Sequence, residues 1–223
     1  MSQPGTPRLL SIQVGQPQTL GAEGARNPMD RRWTSGIFKQ PVAGPVRLGW
    51  TNLELDAQAD LSVHGGPDKA VCVYAADHYA YWRTNLRRAD LPYGAFGENF
   101  TVAGMDETEV CIGDVFAVGQ AQVQVSQPRQ PCWKLARRWR VRDLAARVER
   151  MGYTGWYFRV LAEGIVAAGD RLRRLERPFP EWTVARANEV MRRRPADPGE
   201  SRSLAACPLL SASWQQTLRR RSG

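Results

Sequence analysis

The chain of 223 residues has no apolar run close to the ~20 residues of a membrane-spanning helix, so no membrane association is expected. None of its four cysteines forms a Cys-x-x-Cys pair, and its two histidines have no zinc-finger spacing. These absences disfavour a zinc site and an iron–sulfur cluster. The N-terminal segment lacks the basic start and long apolar stretch of a signal peptide. We therefore expect no disulfide framework and a cytoplasmic protein.

Lysine is scarce, since Lys39, Lys69 and Lys134 are the only lysines and all other basic residues are arginines. The formal net charge is +9 and the pI is about 9.9. A guanidinium can donate two parallel hydrogen bonds to phosphate, so a basic chain can bind nucleic acid or a phosphorylated small molecule. The same charge can also lie on solvated surface without a partner, and composition leaves this choice open.

Short apolar runs separated by glycine turns predict a mainly β protein. Regular spacing of such strands favours a barrel or sandwich with helical insertions. The predicted strands are Leu9–Val14, Pro45–Gly49, Lys69–Tyr74, Val110–Ile112, Val115–Val118 and Ala121–Val125.

Helical patterns interrupt the strands at Asp77–Arg88, with Asp77 as the N-cap, and at Val141–Met151, which Gly152 ends. After residue 178 the pattern is helical throughout. Three short helices are predicted there, at Trp182–Arg194, Ser201–Cys207 and Ser211–Arg221, with Thr183 and Ser211 as caps.

The chain therefore divides into three expected parts: a strand and loop over residues 1–30, a β domain over 31–176 and a small three-helix domain over 177–223. A helical unit of this size is marginal by itself, so it should dock on the β domain.

The segment SQPRQPCWK, at residues 126–134, is the strongest candidate for chemistry. Its prolines stiffen the loop and so hold Cys132 in one place. Arg129 and Lys134 favour a thiolate, and a helix starting after Cys132 would add to this effect. A thiolate is a nucleophile and a soft metal ligand. The alternative is a small buried cysteine with no chemical role.

The segment VHGGPDKA, at residues 63–70, can form an anion-binding loop. Its glycines expose backbone amides, and Lys69 can pair with phosphate. His64 can donate to an anion or change its protonation near neutral pH. The alternative is an ordinary turn.

The segment GAFGENF, at residues 94–100, combines glycines with two polar side chains. Asn99 can donate and accept, which suits the edge of a heterocycle. Glu98 can serve as a general acid or base. The alternative is a loop whose Asn and Glu satisfy its own backbone.

The motifs HGGPDKAV, HYAYW, GAFGENF, IGD, QVSQPRQPCWKL and GWYFRV occur in an order that resembles the MOSC domain family, especially its YiiM-like branch. TSGIFKQPVAGPVRL resembles the opening segment of that branch, and residues 182–221 resemble its three-helix appendage. The resemblance covers residues 33–221 and implies a MOSC-type β-barrel with a C-terminal three-helix domain.

This resemblance implies that Cys132 ligates the metal of the molybdenum cofactor, in its molybdopterin form, or carries sulfur as in some members. With the residue chemistry above, the expected catalytic residues are Cys132, His64 and Glu98. A role for pyridoxal phosphate is not expected. The residues expected to bind the cofactor are Lys39, His64, Gly65, Lys69, Gly97, Asn99, Gln127, Arg129 and Cys132.

The chain departs from the family pattern beside Asp56. Relatives usually carry a glycine before or after this acidic residue, whereas Leu55 and Ala57 flank it here. We therefore carry no binding role onto Asp56. Gly36 also stands where a small alanine is common, which would loosen the loop before Lys39.

The resemblance implies a reductase of N-hydroxylated compounds such as hydroxylamino-purine base analogues. The sequence has no flavin or nicotinamide motif, so a separate electron-donor protein is expected. A homodimer is compatible with the sequence. The alternative function is a sulfur or molybdenum-cofactor carrier without turnover. A nucleic-acid-binding module on Arg192–Arg194 and Arg219–Arg221 is a third hypothesis, but the motifs cluster elsewhere and no nucleic acid is expected as a partner.

Overall fold

A computed structural model describes residues 6–61 and 64–222 of the chain. The predictions made for residues 1–5, Val63 and Gly223 therefore fall outside the described residues. The described strands are β1 (Arg8–Val14), β2 (Gln18–Leu20), β3 (Trp33–Ser35), β4 (Gln40–Pro41), β5 (Val46–Leu48), β6 (Val71–Ala75), β7 (Phe100–Ala103), β8 (Val115–Val118), β9 (Ala121–Pro128), β10 (Trp156–Ala162), β11 (Gly164–Val166) and β12 (Arg173–Glu176).

The helices are α1 (His78–Asn85), α2 (Trp133–Trp139), α3 (Leu144–Met151), α4 (Val184–Arg192), α5 (Pro198–Ala205) and α6 (Ala212–Ser222). Two 3-10 turns lie at Pro28–Asp30 and Pro67–Lys69. None of the helices in the described part of the chain is long and apolar enough to span a bilayer.

Eight strands form one curled sheet in the order β12-β8-β9-β10-β6-β7-β1-β4. All neighbours are antiparallel except β6 and β7, which are parallel. Leu9 N donates to Asp170 O (2.8 Å) and Leu172 N to Pro7 O (2.8 Å), which brings β1 against the segment before β12. The sheet is thus a half-barrel, and the predicted mainly β fold with a C-terminal helical segment is confirmed.

The predicted strands are confirmed at β1, β5, β6 and β8, and β9 continues past the predicted end to Pro128. The strand predicted at Val110–Ile112 is wrong. Val184 N donates to Val110 O and Ile112 N donates to Trp182 O. The backbone of this segment therefore hydrogen-bonds to the helical region instead of to the sheet. Only an isolated bridge pairs Cys111 with Thr183.

The predicted helices form: α1, α3 and α4 are shorter than predicted, α5 begins earlier at Pro198, and α6 is shifted by one residue. Asp77 occupies the N-cap position of α1, as predicted, but its side chain makes no capping hydrogen bond. Thr183 does cap α4, because its hydroxyl accepts from Arg186 N (3.1 Å). Gly152 ends α3 with a left-handed φ of 77°, a conformation that glycine adopts without steric penalty.

The C-terminal helices share their core with the sheet. Val123 and Phe158 from the sheet belong to the same buried cluster as Val190, Trp214 and Leu218 from α4 and α6. Each such side chain contributes about 1.5–3 kcal/mol when it leaves water. The helices are therefore docked on the half-barrel, as their small size requires.

A second buried cluster lies under α1, α2 and α3. Trp82, Phe96, Leu135 and Val148 are members, and all four are fully buried. This cluster fixes α2, and hence the loop before it, against the loop at residues 94–97.

Candidate functional site

Five segments distant in sequence meet around one cavity of about 630 Å³, counting the space that opens to solvent. The lining includes residues from 35–39, 57–59, 64–72, 96–99 and 129–134, together with Tyr157. The predicted site residues that line it are Lys39, His64, Gly65, Lys69, Gly97, Asn99, Arg129 and Cys132. Glu98 and Gln127 do not line it.

Cys132 is half-buried on the wall of this cavity, whereas Cys72, Cys111 and Cys207 are buried. It occupies the N-cap position of α2 with an extended backbone, as predicted. Pro131 stiffens the approach on one side, and Leu135 N donates to Cys132 O (3.2 Å) on the other. The sulfur therefore has a defined position and a route to solvent.

All three lysines of the chain line this cavity, together with Arg129. In a protein whose other basic residues are arginines, this gathering places much of the local charge at one site. Four cations in one concave space attract an anion, because the low-dielectric walls concentrate their field.

Arg129 is buried and its guanidinium donates to Phe96 O (2.5 Å) and Thr154 O (3.4 Å). Burial by itself lowers its pKa, but the negative charges that Cys72 and Tyr157 acquire at high pH, where arginine would lose its proton, outweigh this and raise the pKa above that of free arginine. The guanidinium is therefore a permanent cation of the site.

Lys39 and Asp56 form a buried ion pair beside the cavity. The Asp56 carboxylate also accepts from Gly15 N (2.7 Å) and from the Asn99 amide (2.9 Å). Sequence reasoning left Asp56 without a role, yet it joins two lining residues. The family pattern contained a signal for this role, because it places an acidic residue at this position with a glycine before or after it.

The Asn99 side chain hydrogen-bonds to other groups of the protein. Its amide donates to Gln13 O (3.1 Å) and Asp56, and its carbonyl accepts from Cys72 N (3.1 Å). The predicted reading of a heterocycle edge by this side chain is therefore not what the structure shows. Asn99 instead ties β6 and β1 to Asp56.

His64 is held neutral at neutral pH. Burial lowers its pKa to about 4, and the charges of Lys134, Lys69 and Arg129 lower it as well, while Asp60 partly opposes them. The predicted change of protonation near neutral pH is therefore wrong. Burial also lowers the pKa of Lys69, an effect that Asp68 partly offsets.

Glu98 is fully buried and does not line the cavity. Its carboxylate accepts from Gly94 N (2.6 Å), Phe96 N (3.1 Å), the Thr101 hydroxyl (3.0 Å) and the Tyr79 hydroxyl. All of these donors belong to the protein, so the carboxylate is not directed into the cavity. It shapes the loop that presents Phe96 and Gly97.

Gln127 is also buried away from the cavity, and its amide donates to Pro128 O (3.2 Å). It does not line the cavity, so its predicted role in cofactor binding has no support in this arrangement. The neighbouring strand contributes Tyr157 instead, which pairs with Gln127 in the β9–β10 register and lines the cavity. Alternation along β10 was the available signal, because Trp156 and Phe158 point to the core.

Cys72 is a second lining residue that sequence reasoning missed, since it lies in an apolar strand that reads as core. Burial raises the pKa of its thiol to about 11. Burial likewise raises the pKa of Tyr157 above its ordinary value. Both groups are therefore neutral, and Cys132 is the cavity cysteine that reaches solvent.

The described residues contain no group of three or more His, Cys, Asp and Glu side chains that could hold a metal by themselves. A metal bound at Cys132 would need further ligands from outside the protein. The chain can contribute one sulfur and a basic cavity around it.

Comparisons with known proteins agree with the resemblance found in the sequence. A model of the MOSC domain matches residues 60–173, and a model of the YiiM-like, 3-alpha helix domain matches residues 182–221. YflK of Bacillus subtilis (strain 168) is 50% identical over 182 residues, which are 82% of this chain and 79% of YflK.

A protein named reductase from Gibberella moniliformis (strain M3125 / FGSC 7600) is 42% identical over 164 residues, which are 72% of this chain and 29% of that protein. The crystal structure of YiiM from Geobacillus stearothermophilus aligns with a TM-score of 0.81 at 36% identity, covering 97% of this chain and 100% of that chain. The chain therefore belongs to the MOSC domain family, in the branch that carries the YiiM-like three-helix domain.

Proposed function

We propose that this protein is a molybdenum-cofactor-dependent reductase of N-hydroxylated compounds, with Cys132 as the protein ligand of the metal. The observation that carries the proposal is the position of Cys132, half-exposed on a cavity that it shares with Lys69, Lys134 and Arg129. A soft sulfur ligand and a set of phosphate-binding cations are the two things that this cofactor requires of a protein.

The residues fit the cofactor in three respects. Its phosphate would be held by Arg129 and Lys69, with Lys39 kept in place by Asp56. Its pterin would lie against the backbone near Gly65 and Gly97, where both glycines have positive φ. Its own dithiolene sulfurs would supply the metal ligands that the described residues lack.

In the proposed reaction an N–OH group takes up two electrons and two protons, its N–O bond breaks, and the amine and water are released. The cofactor, when bound, supplies the two-electron redox chemistry. The electrons would come from a separate donor protein. N-hydroxylated bases of the hydroxylamino-purine type are the proposed substrates.

The chain itself contributes position and charge. Neutral His64 can donate or accept a hydrogen bond at the cavity, and Lys69 gives up a proton more readily than free lysine because burial lowers its pKa. The permanent charge of Arg129 would hold an anion in the cavity during the proton transfer. We place the reaction in the cytoplasm, where Cys132 stays reduced.

Two of the comparisons support an oxidoreductase. The MOSC model covers the segments that build most of the cavity, from His64 to Tyr157. The Gibberella relative carries the name reductase. We propose the N-hydroxylated substrate and the molybdopterin form of the cofactor on the family resemblance.

The test compares the wild-type protein with Cys132→Ser after expression in a host that makes the cofactor. Cys207→Ser is the control, because Cys207 is buried and lies outside the cavity. We expect stoichiometric molybdenum, and anaerobic reduction of hydroxylamines, in the wild type and in the control but not in Cys132→Ser. A cyanide-labile sulfur on Cys132 without molybdenum would instead support a carrier without turnover.

A further inference from the structure

Two hydrogen-bond paths lead from the helices α4–α6 to cations of the cavity. The first begins at Asn188 of α4, which is 5% exposed. Its amide donates to the Thr154 hydroxyl (2.9 Å). The carbonyl of Thr154 accepts from the Arg129 guanidinium (3.4 Å), and the next carbonyl, of Gly155, accepts from Arg129 N (3.0 Å).

The turn at Thr154 and Gly155 is also held from the sheet side. Gly155 N donates to Glu107 (2.6 Å), whose second oxygen contacts His78 Nε2 (2.6 Å). Gly155 has a φ of 74°, and a Cβ at this position would lie 2.2 Å from Val73 O. The turn therefore has little room to move, and a shift at Asn188 is passed to Arg129.

The second path begins at the start of α6. Ser211 N donates to Ser126 O (2.9 Å) on β9. The Ser126 hydroxyl donates to Asp68 O (2.5 Å), and Asp68 directly precedes Lys69. The Asp68 carboxylate pairs with Arg159 (2.8 Å), which fixes the same turn from β10.

We infer that the three-helix segment positions the anion-binding cations of the cavity, with Asn188 as the positioning residue for Arg129. The inference rests on the anion-binding part of the proposed function. Because the helices share one apolar core with the sheet, the two paths are held at both ends. Asn188 does not line the cavity and would act through Thr154.

The experiment measures inorganic phosphate binding by titration calorimetry on full-length protein prepared without cofactor. Asn188→Ala removes one hydrogen bond to the turn, so the phosphate Kd should rise about threefold to tenfold. Val190→Ala is the matched control, since Val190 is a buried apolar residue of the same helix and contacts the core instead of the turn. It should lower Tm and leave the Kd unchanged.

A second pair of variants tests the middle of the path. Thr154→Val removes the hydroxyl and keeps the shape, so it should weaken phosphate binding like Asn188→Ala. Thr154→Ser keeps the hydroxyl and should bind phosphate as the wild type does. Equal effects of these two variants would overturn the inference.

His64 gives a readout that does not depend on phosphate. The chain has only two histidines, so its imidazole signals can be followed individually by NMR between pH 3 and 7. Arg129 is one of the charges that lower the pKa of His64, so a displaced Arg129 should raise that pKa in Asn188→Ala but not in Val190→Ala.

The outcomes separate the two proposals. Wild-type protein that binds no phosphate would contradict the anion pocket of the proposed function, and the His64 titration would still decide whether Asn188 positions Arg129. Wild-type phosphate affinity and an unchanged His64 titration in Asn188→Ala would overturn the positioning role while leaving the proposed function intact.

Discussion

The ammonium group of Lys39 pairs with the carboxylate of Asp56, with side-chain exposures of 6% and 0%. Lys39 lines the cavity and Asp56 directly precedes the lining segment 57–59, so the pair joins two loops 17 residues apart. Asn99 and Gly15 complete the coordination of the carboxylate. Asp56 therefore joins four parts of the chain beside the cavity, at Gly15, Lys39, Asn99 and its own loop.

Breaking this pair should be costly, because it leaves one buried charge without a partner. We expect Asp56→Ala to lower the free energy of unfolding by about 3–5 kcal/mol. Urea unfolding at pH 7 measures the change. Glu54→Ala, an exposed acidic residue in the same loop, is the control and should change stability by less than about 0.5 kcal/mol. A loss in Asp56→Ala no larger than in the control would contradict a structural role for the pair.

Leu55 adopts a left-handed φ of 67° and is 65% exposed. Relatives are expected to carry glycine beside this acidic residue, and the backbone here keeps a conformation that suits glycine although the residue is leucine. Left-handed backbone costs a non-glycine residue roughly 1–2 kcal/mol, of which the greater unfolded-state entropy of glycine cancels part.

We therefore expect Leu55→Gly to raise the free energy of unfolding by about 0.5–1 kcal/mol. Leu61→Gly is the control, because Leu61 is equally exposed but is not among the positive-φ residues. It should be neutral or destabilising. Thermal unfolding of both variants beside the wild type checks the prediction, and a destabilised Leu55→Gly would count against it.

The pKa of His64 predicts how stability depends on pH. Folding lowers this pKa from 6.5 to about 4, so between these values the unfolded chain binds a proton that the folded protein does not. Stability should therefore fall as pH drops from 7 towards 4. His64→Gln removes this contribution, so its unfolding free energy should change less over the same range. Parallel pH dependences of the two proteins would show that His64 titrates normally.

Glu98 should behave as a structural acceptor and not as an acid or base. In Glu98→Gln an amide replaces one of the oxygens that accept from Gly94, Phe96, Thr101 and Tyr79. Leaving buried donors unsatisfied costs about 1–3 kcal/mol. We expect lower stability and weaker retention of cofactor, with an unchanged pH profile for the residual turnover.

The control for Glu98 is Glu109→Gln at an exposed position outside the cavity. It should leave both stability and cofactor content unaltered. A pH–rate profile that loses one limb in Glu98→Gln would show instead that this carboxylate moves protons.

Sequence patterns predicted much of the local structure here for simple reasons. Apolar alternation and glycine turns predicted β1, β5, β6 and β8. The segment with Pro128 and Pro131, followed by a helical pattern, predicted Cys132 at the start of α2. Val110–Ile112 was misread because its apolar residues are buried by the helical region, and periodicity does not say which partner buries a segment.

The candidate site divides in the same way. Residue chemistry pointed to Cys132, Arg129, Lys69 and Lys134, because sulfur and fixed positive charge have few equivalents among side chains, and the family resemblance added Lys39. All five line the cavity. The orientations of Glu98, Gln127 and Asn99 differ from those predicted, because Glu98 and Asn99 hydrogen-bond within the protein and the Gln127 amide nitrogen donates to Pro128 O. A polar side chain in a motif indicates that a hydrogen bond is formed, but the motif does not identify its partner.

What the amino-acid sequence determined by itself is the family, the mainly β architecture with its C-terminal helices, and the cysteine on which the proposed chemistry depends. Only the tertiary structure decided that all three lysines line one cavity, that Asp56 pairs with Lys39, and that Asn188 and Arg129 both hydrogen-bond to Thr154. The reason is physical: strand and helix periods depend on neighbours along the chain, whereas burial, ion pairing and pKa depend on groups that folding brings together from distant positions.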